Sequence, residues 1–143
     1  MPRPTLLLAL VTVLACSSQL GNPVVADTGT AEARDGYEAA LATVESQGYL
    51  VAAKDQPRHH LRVIAKPTSA GESSVAYFDI QAMPGAVGIF VETPGRRAPE
   101  EPEARELRRQ MEQLAWGIGG RARILGGEPS PAPDQLPPLT RFR

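Results

Sequence analysis

The sequence predicts a small α+β domain, a two-layer sandwich in which a four-stranded antiparallel meander is covered on one face by two helices. The expected element order is α-β-β-β-β-α. Two stretches with helical apolar spacing flank four short strand-like runs. The links between those runs are too short for crossover connections, so neighbouring strands should be antiparallel. One face of such a sheet needs cover, and the two helices supply it.

The first helix is predicted over residues 30–48. We expect Thr30 to cap its start, because a hydroxyl oxygen can accept a bond from a free backbone amide of the first turn. Gly48 suits the left-handed residue that ends a helix, and Tyr49 would then fold back onto Val44. The apolar residues that form one stripe at helical spacing are Tyr37, Ala40, Leu41 and Val44.

Four strand-like runs follow, over residues 49–54, 60–66, 74–82 and 87–93. Pro84 and Gly85 suit the second and third positions of a type II turn, so the last two runs should form a tight hairpin. An extra strand at residues 23–26 is a further possibility. In the second and third runs, the apolar residues that alternate with polar ones mark the helix-covered face: Leu61, Val63, Ala65, Ala76, Phe78, Ile80 and Ala82.

The second helix is predicted to begin between Pro99 and Pro102, since proline is tolerated in a first turn. The acidic residues that follow complement the positive end of the helix dipole. Glycines at positions 117, 119 and 120 predict that the regular helix ends near Trp116, because each costs about 1 kcal/mol relative to alanine. The apolar stripe of this helix is Leu107, Met111, Leu114 and Ile118.

The chain divides into four predicted regions: a signal peptide at residues 1–15, a tether at 16–29, the α+β domain at 30–126 and a tail at 127–143. The tail contains five prolines and no periodic apolar face, so we expect it to be disordered. The formal net charge of the whole chain is −1 and no basic stripe is present. Nucleic acid is therefore not an expected partner.

The first fifteen residues have the organisation of a secretory signal. Arg3 precedes an apolar run over residues 5–15, and the single cysteine, Cys16, follows directly. The run is too short to span a membrane, which takes about 20 apolar residues. An ordinary secretory peptidase could cut after Ala15 or Ala26. Cleavage after Ala15 without lipidation would leave Cys16 as one unpaired thiol in an oxidising compartment.

The quartet Val13-Leu14-Ala15-Cys16 resembles the lipobox of bacterial lipoproteins. That resemblance implies removal of residues 1–15, acylation of Cys16 with fatty acids such as palmitate, and attachment to a membrane through that lipid. Ser17 differs from the aspartate that resembles an inner-membrane retention signal. The expected location is therefore the cell envelope, at the periplasmic face of the outer membrane.

The chemistry-bearing side chains predict no metal site and no cofactor. His59 and His60 are adjacent, so on a strand they point to opposite faces and cannot share a metal. The favoured interpretation is a pair of solvated turn histidines. The alternative makes His60 a ligand or general base together with Asp55 or Asp79. The acidic cluster is explained as a solvated helix start: Glu100, Glu101, Glu103 and Glu106.

The leading functional hypothesis is therefore a non-catalytic protein-interaction or assembly-accessory domain anchored in the envelope. The alternative is a small hydrolase or ligand-binding lipoprotein that uses His60 with Asp55 or Asp79. The element order also looks like the helix-on-sheet domains of envelope lipoproteins that assist outer-membrane assembly. Trp116 is assigned to the rim of the core rather than to a partner, and Arg96-Arg97 to an exposed loop rather than to phospholipid headgroups.

Overall fold

The computed structural model describes residues 23–71, 75–94 and 99–120, and the backbone of 122–124. Several sequence predictions fall outside this part of the chain. They are the signal peptide, the lipidated Cys16, the Arg96-Arg97 doublet and the proline-rich tail at residues 127–143.

The described residues form an α+β fold with one antiparallel sheet and two helices. The strand order in the sheet is β2-β3-β4-β5-β1-β6. The predicted α+β class is confirmed, whereas the predicted number of strands is too low: the four strands β2 to β5 lie within a six-stranded sheet. The elements in chain order are β1 (Val24–Asp27), α1 (Ala33–Ser46), β2 (Leu50–Asp55), β3 (His60–Ile64), β4 (Tyr77–Met83), β5 (Ala86–Glu92), α2 (Glu101–Gly119) and β6 (Ala122–Ile124).

Strand β1 corresponds to the extra strand considered at residues 23–26, so the sheet includes residues that were assigned to the tether. Residues 24–27 were assigned to the tether, yet they pair with β5 on one side and β6 on the other. Val24 and Ala26 have no exposed surface. A four-residue strand carries little periodic signal of its own, and its pairing partners lie far away in the sequence.

Both helices cover the same face of the sheet, where α2 packs chiefly on β1 and β5 and α1 chiefly on β4. The predicted core is largely confirmed, since Val44, Phe78 and Leu114 have no exposed surface. Leu41 was predicted to be core but is only partly buried against it. The other predicted core residues are buried as expected: Ile80, Leu107 and Met111.

The first helix ends as predicted and begins differently. Gly48 has a φ of +80°. The Tyr49 amide donates to the Val44 carbonyl at 2.9 Å, which is the bond of a Schellman ending. Thr30 does not cap the helix, because its hydroxyl bonds that of Thr28 at 2.8 Å. The residue before the first turn is Glu32, whose side chain makes no capping bond.

The second helix continues past its predicted end. It runs to Gly119, and Gly120 then takes the left-handed conformation with a φ of +66°. A Cβ atom at Gly119 would lie 2.6 Å from the carbonyl oxygen of Asp27 in β1. A Cβ at Gly117 would lie 2.7 Å from Cγ2 of Thr43 in α1. These glycines allow close approach of α2 to its neighbours, so packing outweighs their low helix propensity.

Candidate functional site

The sheet face that points away from the helices, here called the open face, holds a charged cluster. Arg62 and Asp79 lie directly opposite each other on β3 and β4. The guanidinium Nε donates to Asp79 Oδ1 at 3.0 Å and Nη2 donates to Oδ2 at 3.2 Å. Arg62 also pairs with Glu92. Its guanidinium carbon lies 5.2 Å from the centre of the Tyr77 ring.

His60 joins this cluster through Asp79. Its Nε2 atom lies 3.2 Å from Asp79 Oδ1. The second carboxylate considered for His60, Asp55, lies opposite it in the β2–β3 register, but its oxygen accepts a bond from the Arg58 amide at 3.4 Å. The structure therefore brings His60 to Asp79. Because Arg62 already holds that carboxylate in a bidentate pair, ordinary ion pairing accounts for the arrangement.

The two histidines diverge, as their adjacency predicts. His59 lies in the turn before β3, in the left-handed region with a φ of +53°. Its ring packs edge-on against Tyr37 of α1, with ring centres 6.1 Å apart. His60 lies on the opposite, open face. No group of three His, Cys, Asp or Glu side chains in the described ranges is arranged to hold a metal ion.

A second candidate surface, here called the edge groove, lies where β2 begins and β3 ends. Its volume is about 290 Å³. Two large apolar side chains beside it are exposed, Leu50 at 70% and Val75 at 41%. No strand of the described chain pairs with the outer edge of β2. The described residues that define the groove in the following sections are Tyr49, Leu50, Ile64, Lys66, Val75 and Leu107.

A buried amide holds this region together. Gln110 of α2 is 1% exposed. Its Oε1 accepts the Lys66 amide at 2.9 Å and the Tyr49 hydroxyl at 3.3 Å. Its Nε2 donates to the Lys66 carbonyl at 3.1 Å. One side chain of the second helix thus fixes both walls of the groove.

Glu106 adds a second link from α2 to the loop after β3. Its Oε2 accepts bonds from both the amide and the hydroxyl of Ser69, each at 2.9 Å. This carboxylate was assigned to a solvated helix start. Its position on α2 instead lets it order the loop beside the groove.

Lys66 is the charged residue of the groove. Its ammonium lies 4.7 Å from the centre of the Tyr49 ring, a cation–π contact. In the part of the chain that the structure describes, no carboxylate lies within 4.0 Å of this ammonium. Burial raises the pKa of the Tyr49 phenol well above its usual value. The phenol therefore stays a neutral donor to Gln110 across the physiological range.

Trp116 lies half-buried on α2, packed against the core as predicted. Its Nε1 atom is fully buried, and no acceptor for it is found among the described residues. Neither described helix has the length and apolar character needed to cross a membrane.

Comparison with known proteins adds no relative: no protein-family model matches the chain, and no curated protein has a significantly similar sequence. The residues of the edge groove were missed from sequence. The clearest available signal was Gln110, a polar residue at a helical spacing that falls within the apolar stripe of α2. A buried glutamine on such a stripe has to find hydrogen-bond partners, and it finds them at Lys66 and Tyr49.

Proposed function

We propose that the protein is a lipid-anchored, non-catalytic interaction or assembly-accessory domain of a bacterial envelope. Cys16 carries the lipid and tethers the domain at the periplasmic face of the outer membrane. The lipobox-like residues 13–16 support the anchor. The observation that carries the interaction role is Leu50, which is 70% exposed on a strand edge that no described strand pairs with. Exposed apolar side chains and open strand edges favour binding to proteins.

The anchor is tested by intact-mass analysis of the full-length protein from a bacterial host. We expect a chain that begins at Cys16 and carries acyl groups, because two acyl chains give stable attachment. The Cys16→Ser variant should accumulate as a precursor or leave the membrane fraction. An unmodified chain beginning at Cys16 or Asp27 would contradict the anchor.

The interaction role is tested by photo-cross-linking in the native host. A photoreactive residue replaces Leu50 in the lipidated chain, and the matched control replaces Met83. Met83 is also apolar and is 42% exposed, but it lies at the β4–β5 turn. We expect a discrete adduct with an envelope protein from position 50 and none from position 83. Equal labelling at both positions, or none at position 50, would contradict the role.

A second candidate function is a small hydrolase or ligand-binding lipoprotein that uses His60 with Asp79. The supporting observation is the 3.2 Å contact between His60 Nε2 and Asp79 Oδ1. Chromogenic ester, phosphoester and glycoside substrates test the hydrolase version on the full-length protein. Turnover that disappears in His60→Gln would favour this candidate over the interaction domain.

A further inference from the structure

The residues of the edge groove indicate the chemical class of its partner. This inference rests on the interaction role proposed above. We infer that the edge groove binds an extended segment of a partner protein, which adds as a new strand outside β2. A large apolar side chain of that segment packs on Leu50. A carboxylate of the same segment faces Lys66.

The backbone of β2 offers the hydrogen bonds for such a strand. Odd-numbered residues of β3 bond to β4, as the 2.9 Å bond from the Ala65 amide to the Ala76 carbonyl indicates. Even-numbered residues of β3 therefore face β2, because the two alternate along an antiparallel strand. Val51 and Lys54 lie opposite odd-numbered residues of β3. Their amide and carbonyl groups consequently point outward, to the free edge.

The groove has room for a side chain of the added segment. Its volume of about 290 Å³ falls at the lower limit of small-molecule sites, which span about 300–1,000 Å³. Leu50 and Val75 present apolar walls that are exposed to solvent. An apolar side chain from a strand added outside β2 would cover Leu50, which lies on that edge strand. Main-chain pairing with side-chain pockets is the general pattern of strand addition.

The positive charge beside the edge groove indicates that the partner segment is acidic. Lys66 lines the groove and Lys54 lies exposed on β2 itself. The one carboxylate of β2, Asp55, is paired with Arg58 at 3.7 Å. The edge is therefore locally positive in a chain whose net charge is −1. A second copy of β2 would bring another Lys54 and a single carboxylate, Asp55, which already pairs with Arg58, so an acidic segment of a different protein fits better.

The test uses synthetic peptides and the full-length protein. Each probe is an N-acetylated eight-residue peptide of alternating valine and threonine with one central phenylalanine. Glutamate, glutamine or lysine stands two positions after the phenylalanine, so both side chains share a face. We expect the glutamate peptide to bind most tightly and the glutamine peptide about fivefold more weakly, as for a partly exposed ion pair. N-methylation of the amides that face β2 should abolish binding.

Two pairs of variants locate the site. Leu50→Lys should weaken binding by about tenfold or more, whereas Met83→Lys should leave it unchanged. Lys66→Glu should reverse the order of the glutamate and lysine peptides, whereas Arg34→Glu on α1 should not. Leu50, Met83 and Arg34 are exposed, and the backbone of Lys66 keeps its bonds to Gln110, so the variants should fold.

Equal binding of the three peptides, or full binding of the N-methylated peptide, would overturn the inference. A dimer in sedimentation that Leu50→Lys dissociates would also overturn it and make a second copy the occupant. If cross-linking at position 50 captures an envelope protein but the peptides show no acidic preference, the interaction role stands and this inference fails. If cross-linking at position 50 also fails, the interaction role fails with it.

Discussion

Strands β1 and β2 occupy opposite sides of the sheet and differ in almost every physical respect. β1 has a neighbour on each side, and Val24 and Ala26 have no exposed surface. β2 pairs with β3 alone among the described strands, and Leu50 is 70% exposed. The helix α2 packs closely on β1, whereas α1 makes little contact with β2. The β1 side of the sheet, here called the sealed side, is covered by packing on both flanks of the strand. The β2 edge leaves backbone groups and apolar surface exposed for binding.

The sealed side and the edge groove are also stabilised by different interactions. On the sealed side, apolar burial and close helix–strand approach supply the cohesion. At the edge groove, the buried amide of Gln110 joins the second helix to Tyr49, just before β2, and to Lys66, just after β3. Hydrogen bonds have defined geometry, so this amide orders a surface that buries little apolar area.

The largest expected effect comes from the core under α2. Leu114→Ala should lower the free energy of unfolding by about 2–5 kcal/mol, because it leaves a cavity at a fully buried site. Leu41→Ala on α1 is the matched control and should cost less, since Leu41 is only partly buried. Urea denaturation measures both. An equal or larger loss in Leu41→Ala would show that the two helices contribute alike.

The next largest loss of stability is expected from removing the hydrogen bonds of Gln110 beside the edge groove. Gln110→Met keeps a similar shape but removes the partner of the Lys66 amide and carbonyl and of the Tyr49 hydroxyl. We expect a loss of about 1–3 kcal/mol from the unpaired groups. Hydrogen exchange should show faster exchange of the Lys66 amide. Unchanged protection of that amide would mean that Gln110 does not order the edge groove.

Close approach on the sealed side is tested by a glycine pair. Gly119→Ala should destabilise the fold by about 1–2 kcal/mol although alanine favours helices, because the new Cβ meets the Asp27 backbone at 2.6 Å. Gly117→Ala meets the side chains of Thr43 and Gln47, which can move, and should cost less. Thermal unfolding separates the two. A stabilised Gly119→Ala variant would contradict the close packing of α2 on β1.

A smaller effect is expected on the open face. His60→Ala should lower stability by less than about 1 kcal/mol, because Asp79 keeps its bidentate pair with Arg62. Chemical denaturation at pH 7 measures it, with Leu114→Ala as the reference. A loss as large as that of Leu114→Ala would mean that His60 has a structural role beyond this ion pair.

The smallest change in the free energy of unfolding should come from Leu50 on the exposed edge of β2. Leu50→Ala should change the free energy of unfolding by no more than about 0.5 kcal/mol, since a 70% exposed side chain loses little burial. The same variant should bind the glutamate peptide more weakly. A stability loss above about 1 kcal/mol would indicate that Leu50 belongs to the core and would remove the contrast with β1.

Sequence reasoning succeeded where the determining contacts are local. The stop of α1 at Gly48 depends on a backbone conformation and on bonds within one turn. The alternation around Phe78 and Ile80 directly assigns the buried face of β4. The hairpin at Gly85, with a φ of +82°, depends on two turn residues.

The failures have a common physical cause, which is long-range packing. β1 becomes a central strand only because β5 and β6 lie on either side of it. Gly119 remains helical because β1 lies close against it. The edge groove needs Leu50, Lys66 and Gln110 together, and they come from three separate elements. No local pattern brings such residues together, although Gln110 on an apolar stripe was a readable signal.

The placement of β1 has a kinetic consequence for folding. Val24 pairs with Ile124, at the far end of the described chain. Contacts so distant in sequence are slow to form, because a long loop must close before they contribute stability. The β4–β5 hairpin has a two-residue connection, Pro84-Gly85, and can form early. The first strand of the domain is therefore expected to be among the last to dock, and the sheet is completed only when the whole chain is available.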